Sequence, residues 1–223
     1  MTVSIAVQGS TPIIKNDVSQ PTSKEVETEK NYWNNFYGQF NISHPSQFCV
    51  MTAIEGDHSQ PIIEFGCGNG RDSIYFATHG FTVYGCNLSK DAIEKNVEKS
   101  KAVSSIQFKV VDASSVDDVQ GVVNTARSET SSQNVTIYTR FFLHSIDDEQ
   151  QEKFFNALSN ALVAGDKLYF EYRSKEDESL DRCMVRNICW LVLRNLGSML
   201  TTVILERVWP STSRKIRSLA VLF

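Results

Sequence analysis

Residues 62–72 read Ile-Ile-Glu-Phe-Gly-Cys-Gly-Asn-Gly-Arg-Asp: an apolar strand ending at Glu64, three glycines at alternate positions, and the opening of a helix near Arg71. Gly66, Gly68 and Gly70 permit a tight turn and leave room for a ligand against the main chain. The helix start adds unpaired N–H groups and the positive end of a dipole, so a loop of this kind suits an anionic or polar cofactor tail. A dinucleotide fingerprint would carry its third glycine where Arg71 stands, and an arginine there prevents the close strand–helix packing that glycine allows. The pattern is Glu-x-Gly-x-Gly-x-Gly instead. Because glycine-rich turns also occur without ligands, the other strand ends have to agree with it.

With 223 residues and 41% hydrophobic content, the chain is long enough for one α/β domain and too short for two. A formal net charge of −4 speaks against a nucleic-acid partner, although the charge is uneven. From Arg182 to Phe223 there are seven Arg and Lys against the single Glu206, which leaves the acidic excess in the residues before them. Cys49, Cys67, Cys86, Cys183 and Cys189 are odd in number and lack Cys-x-x-Cys spacing, which points to reduced thiols in a cytoplasm and to no metal site. No basic-then-apolar secretory signal opens the chain. The apolar stretch from Ile188 to Trp209 is interrupted by Arg194, Asn195, Glu206 and Arg207, each costing roughly 2–3 kcal/mol in a bilayer, so it predicts buried protein and no stable membrane insertion.

Residues 1–24 mix Ser, Thr, Pro and Gln without a period and read as a mobile tail, with a single domain over 25–223. Within it, 25–56 predict lid or cap helices: Tyr32, Trp33, Phe36 and Tyr37 share one helical face, and Pro45-Ser46 opens a short helix through Ile54. From Gln60 strands alternate with helices: strands over 61–65, 81–86, 105–110, 134–139 and 167–172, helices over 71–79, 90–100, 115–127 and 148–163, with Gly80 and Gly165 at helix ends. Such alternation specifies a parallel sheet flanked by helices. A helix over 182–196 stopped by Gly197, then strands over 201–209 and 215–223 joined across Pro210-Ser-Thr-Ser, predict a terminal antiparallel hairpin. The expected fold is α/β, a Rossmann-like doubly wound sheet of seven mostly parallel strands.

The Glu-x-Gly-x-Gly-x-Gly loop resembles motif I of the class I S-adenosylmethionine (SAM)-dependent methyltransferases, whose sheets end on the same kind of hairpin. The resemblance runs from Tyr32 to Ser174 and includes Tyr-Trp-Asn-Asn-Phe-Tyr, Gly-Asn-Gly-Arg-Asp-Ser, the run Ile137 to Ser145 and Glu171-Tyr-Arg-Ser. In these the chain looks like small bacterial methyltransferases of surface-polysaccharide clusters and natural-product pathways, and more distantly like thiopurine and tellurite-resistance methyltransferases. The resemblance implies a SAM site built from Glu64, Gly66, Cys67, Gly68, Asn69, Gly70 and Arg71, from Asn87 and Leu88 after the second strand, from Asp112 and Ala113 after the third, and from Arg140 at the end of the fourth. Asn87 departs from the family, which usually grips the ribose with a carboxylate there. An amide can accept one bond and donate another, but without charge assistance. The lesser alternative for Asn87 with Ser89 is that they merely cap the next helix, while Asp112 can equally be an exposed turn residue.

Methyl transfer asks mainly for an acceptor lone pair held in line with the methyl–sulfur bond in a dry site, and a hydroxyl acceptor also asks for a base. His144 has the right chemistry for that base, and equally suits packing at the start of the next helix. Arg140 and Arg173 end neighbouring strands and suit an anionic group on the acceptor, or else pair structurally with Asp72 or Glu171. Tyr32, Trp33 and Tyr37 suit a lid that excludes water and faces the sulfonium, or a helix packed on the core. The expected activity is methylation of an oxygen on a small anionic or sugar-like molecule, with a small-molecule acceptor as the partner. A non-catalytic SAM-fold binding protein and an NAD-dependent oxidoreductase are the alternatives.

Overall fold

The computed structural model describes residues 43–173 and the backbone of 202–210 and 215–222. The expected tail over 1–24, the aromatic residues Tyr32, Trp33 and Tyr37 and the helix over 182–196 lie outside the described residues.

Helices and strands alternate along the described chain as α1 (Gln47–Glu55), β1 (Ile62–Phe65), α2 (Arg71–Thr78), β2 (Val83–Asn87), α3 (Lys90–Lys99), β3 (Ile106–Val110), α4 (Val116–Thr130), β4 (Thr136–Arg140), α5 (Asp148–Ala161) and β5 (Lys167–Arg173). The five strands pair in parallel in the order β3-β2-β1-β4-β5. Register is set by Ile62 opposite both Val83 and Thr136. Strand order reverses between β1 and β4, the point at whose carboxyl ends open α/β sheets bind ligands in a crevice.

Both faces of the sheet are covered, and for that reason β1 is buried at all four positions and reads as an unbroken apolar run save Glu64. Ile63, Phe65 and Ile137 point into a core with Val119, Val122 and Val123 of α4 and Phe154, Phe155 and Leu158 of α5. Ile62 and Tyr138 face the other way, against Phe48 of α1 and Phe76 and Ala77 of α2. Most helix starts are chosen by side chains: Ser46, Ser89, Ser115 and Asp147 each accept a bond from the backbone N–H three residues on, the last in a capping box with Gln150. Helix α2 differs, since its N-cap is Gly70 and makes no side-chain cap bond.

Several boundaries differ from the sequence expectation. Helix α4 continues to Thr130, three residues beyond the expected end, because Ser131 takes the left-handed conformation (φ 55°) that terminates it. Helix α5 stops at Ala161, so Gly165 is not its cap. Gly165 lies in the turn before β5 at φ 98°, packed so closely on Asn134 that a Cβ would stand 2.6 Å from that amide. The turn is held by Asp166, fully buried, whose carboxylate accepts from the N–H groups of Val135 and Val163 at 2.8 and 2.7 Å and pairs with Arg127 at 2.5 Å. This joins α4, β4 and β5 at the edge of the sheet opposite the crevice. No helix among the described residues is long and apolar enough to cross a membrane.

Candidate cofactor site at the carboxyl edge

Gly66, Gly68 and Gly70 all adopt the left-handed conformation, with φ of 75°, 53° and 74°. The loop is anchored in front by the N–H groups of Gly66 and Cys67, which donate to the carbonyl of Cys86 on β2 at 2.9 and 3.0 Å. From behind, Asn96 of α3 donates its amide to the carbonyl of Gly68 at 2.9 Å, and Lys99 reaches that of Asn69 at 3.4 Å. Space is as restrictive as torsion: a Cβ on Gly66 would stand 2.6 Å from the ring of Phe142, and one on Gly70 would stand 2.9 Å from the Asn96 amide carbon. Asn96 is fully buried and had escaped the sequence reading. The signal was there, a polar residue three positions after Ile93 on the inward face of an amphipathic helix.

The next two strand ends lie along the same edge. Asn87 accepts a bond from the N–H of Ser89 at 2.8 Å through its Oδ1, while Ser89 itself caps α3 by accepting from Ala92. The side-chain carbonyl of Asn87 is thus spent on shaping the turn, and its NH2 group is the part left to face a ligand. Leu88 beside it is exposed. Asp112 uses Oδ1 in the same way, accepting from the N–H and hydroxyl of Ser114 at 2.8 and 2.7 Å, while its own N–H donates to Asp118 at 2.9 Å. Both readings offered for Asp112 are compatible with this geometry, since one oxygen makes a turn and a carboxylate has a second. Ala113 packs against the core.

Past β4 lies the most strained of the described residues. Phe141 has φ 53°, which is costly for a bulky side chain, and its N–H donates to the carbonyl of Glu171 at 2.8 Å. The turn sends two successive aromatics apart. Phe142 drops beneath Gly66 and packs edge-on against Phe154, while the ring of Phe141 lies 4.1 Å from the Arg140 guanidinium. Arg140 in turn places Nε 2.6 Å from Oε2 of Glu171, an ion pair poorly aligned as a hydrogen bond. Of the roles expected for Arg140, the structure therefore displays the pairing with Glu171. The turn Leu143–Ser145 that follows carries His144 and is fixed from α5 by Gln151, which donates to the carbonyls of Leu143 and Ile146 at 2.9 and 3.2 Å. The side chains of His144 and Arg173 are not among those described.

Beneath the glycine loop lies a buried polar network on the α1–α2 face of the sheet. Asp72 of α2 accepts from the N–H and hydroxyl of Ser46, both at 2.8 Å, and from the Tyr138 hydroxyl at 3.0 Å, with Arg71 Nε 3.7 Å away. Glu64 accepts a short bond from the Ser73 hydroxyl. Burial, reinforced by the Asp72 carboxylate, raises the Glu64 carboxyl to about 8. Burial likewise pushes the thiols of Cys67 and Cys86 far up, which keeps them protonated and poor as nucleophiles or metal ligands. No cluster able to hold a metal occurs among the described residues.

Residues 46–176, more than half of the chain, match the model of the thiopurine S-methyltransferase (TPMT) family. Three solved structures share the fold. One comes from work on the conversion of a disulfide bond into a thioacetal group during echinomycin biosynthesis (16% identity over 87% of this chain and 92% of that one, TM-score 0.63). Another is a SAM-dependent methyltransferase from Anabaena variabilis (17%, 93% and 98%, TM-score 0.59). The third is the N-methyltransferase NodS from Bradyrhizobium japonicum in complex with S-adenosylhomocysteine (SAH) (15%, 90% and 87%, TM-score 0.55).

Two glycine substitutions separate the packed loop from an ordinary helix position. Gly66→Ala forces a Cβ into Phe142 at an unfavourable φ and should destabilise the protein by on the order of 2–4 kcal/mol. Gly121→Ala, in the exposed middle of α4 with open space around it, should stabilise by about 0.5–1 kcal/mol. Urea unfolding of both variants checks the opposite signs; equal effects would show that the loop tolerates a side chain.

Proposed function

The chain belongs to the thiopurine S-methyltransferase (TPMT) family of SAM-dependent methyltransferases, and from that membership we propose that it methylates an oxygen of a small anionic or sugar-like acceptor, with SAM lying along the carboxyl ends of β1 to β4. The observation that carries the cofactor's placement is the left-handed glycine loop at the point where strand order reverses, followed by a helix without a side-chain cap. The residues suit the group. Gly66, Cys67, Gly68, Asn69 and Gly70 give a backbone surface for close approach, with Glu64 and Arg71 at its two ends. Asn87 offers its NH2 to a ribose hydroxyl with Leu88 alongside, and Asp112 with Ala113 offers a carboxylate oxygen and a backbone N–H to the adenine edge. When bound, SAM supplies an electrophilic methyl group on a positively charged sulfur.

For the acceptor, His144 stands in a turn pinned by Gln151 just past β4, and we assign it the role of general base toward a hydroxyl. Arg173 is the assigned anchor for an anionic group. Arg140, already beside Glu171, orients rather than neutralises. The proposed methyltransferase domain spans 25–223. The sheet is completed to seven strands by a terminal hairpin, β6 (Thr202–Pro210) and β7 (Lys215–Leu222). Supporting this, β7 pairs antiparallel with β5 and with β6, extending the order to β5-β7-β6. The protein is assigned to the cytoplasm on the odd number and spacing of its cysteines.

Two measurements test this reading. Asn87→Asp keeps one oxygen for Ser89 and gives the other to the ribose, and should tighten SAH binding by up to about 1–1.5 kcal/mol in calorimetry; unchanged affinity would reduce Asn87 to a turn residue. A methyl-transfer assay with SAM against phosphorylated sugars, small acids and a thiopurine should find transfer to oxygen, with His144→Ala slower by roughly 10²–10⁴ at unchanged SAM affinity. Transfer to sulfur alone would overturn the oxygen assignment, and wild-type rate in His144→Ala would make that histidine a packing residue.

A further inference from the structure

Helix α3 ties two parts of the assigned cofactor site together. It is capped by Ser89, whose own N–H donates to Asn87 at 2.8 Å, so the helix begins on the turn that carries the residue assigned to the ribose. Further along, Ile93 and Asn96 are its buried residues. The inward face of an amphipathic helix is ordinarily apolar, and Asn96 stands there fully buried. Its Nδ2 donates to the carbonyl of Gly68 at 2.9 Å and lies 3.8 Å from the Cys67 thiol. The amide orientation follows from the carbonyl it faces, since the reverse would set two acceptors against each other. Oδ1 is left buried without a hydrogen-bond partner among the described residues. A buried acceptor in that condition is costly, and an apolar side chain of similar size would avoid the cost. Packing does not account for Asn96, whereas its donor does.

The carbonyl it holds belongs to the peptide between Gly68 and Asn69. In a trans peptide the carbonyl and the N–H point in opposite directions, so a Gly68 carbonyl fixed on α3 turns the N–H of Asn69 away from that helix. Neighbouring peptides of the loop are set by other means: the N–H groups of Gly66 and Cys67 donate to the Cys86 carbonyl, and that of Gly70 donates to the Cys67 carbonyl. Gly68, at φ 53°, has the backbone freedom of glycine, and a bond to a buried side chain takes that freedom away. Lys99 reaches the next carbonyl, that of Asn69, from an exposed position at 3.4 Å, which is a looser hold.

We propose that Asn96 is a positioning residue for the amino-acid end of the cofactor, and that through α3 it fixes the separation of that end from the ribose contact. This rests on the cofactor placement argued above. The helical rise from Ser89 to Asn96 is about 10 Å, so the Asn87 turn and the Gly68 carbonyl are fastened to the two ends of one rigid segment. The chain thereby selects a ligand of the full length of SAM or SAH. A nucleoside thioether without the amino-acid end meets Asn87 and Asp112 and takes no benefit from Asn96.

The test uses the full chain with SAH and with 5′-methylthioadenosine, which keeps the adenine, ribose and sulfur and lacks the amino-acid end. Calorimetry reads the affinity for SAH, and chemical-shift titration reads that of the smaller ligand. Asn96→Ala should weaken SAH by about tenfold or more and leave methylthioadenosine within about twofold of the wild-type chain. Asn96→Leu, which fills the space without a donor, should show the same split. Equal losses for the two ligands, or no loss for either, overturn the proposal and make Asn96 a packing residue with the cofactor site intact. Failure of the wild-type chain to bind either ligand overturns the cofactor placement instead. Should both variants fail to fold, the wild-type chain decides: the side-chain amide signal of Asn96 shifts with SAH and not with methylthioadenosine, and a signal that responds to both alike, or to neither, overturns the proposal.

Discussion

The backbone of Gly66 to Gly70 is the constraint on which the rest of the crevice depends. Three left-handed residues in five positions are open only to glycine at reasonable cost, and here the conformation serves packing as much as flexibility. Phe142 lies under Gly66, Asn96 under Gly70, and the carbonyls of Gly68 and Asn69 are turned back toward α3. These contacts come from the turn after β4 and from α3, so the loop fixes the distances among β1, β4 and α3. The strained turn at Phe141 belongs to the same arrangement, because only an abrupt change of direction after Arg140 delivers Phe142 to the back of Gly66.

A second constraint is electrostatic. Asp72 joins the first turn of α2 to the cap of α1 and to β4, so the helix that follows the glycine loop cannot shift without disturbing Ser46 and Tyr138. Such a network is costly to leave half satisfied, and nearly every member here finds a partner. Glu64 is the exception in charge though not in hydrogen bonding.

Much of the fold was legible because its signals are local. Strand-like runs alternating with helical ones marked the five strands, and Ser46 and Ser89 announced helix starts by the same chemistry that caps them. Where the reading slipped, the deciding contact was distant or the signal degenerate. Gly165 looked like a helix stop but answers to Asn134 and Asp166, some thirty residues away and next door respectively, while α4 ends on a serine that carries no recognisable stop signal. At the site, the glycine loop and the strand-end residues Asn87 and Asp112 were visible as a spaced series. Asn96 was hidden because its partner is a backbone carbonyl 28 positions earlier, and the ion pair of Arg140 became definite only once β4 and β5 were in register.

The central claim is that this edge of the sheet is where the cofactor lies, and a crystal structure of the chain with SAH measures it most directly. The account requires the amino-acid end of SAH against Gly66 to Gly70, its ribose within hydrogen-bond distance of the Asn87 side chain, and its adenine beside Asp112 and Ala113. SAH bound elsewhere on the sheet, or lying across the loop with Asn87 and Asp112 out of reach, would contradict it.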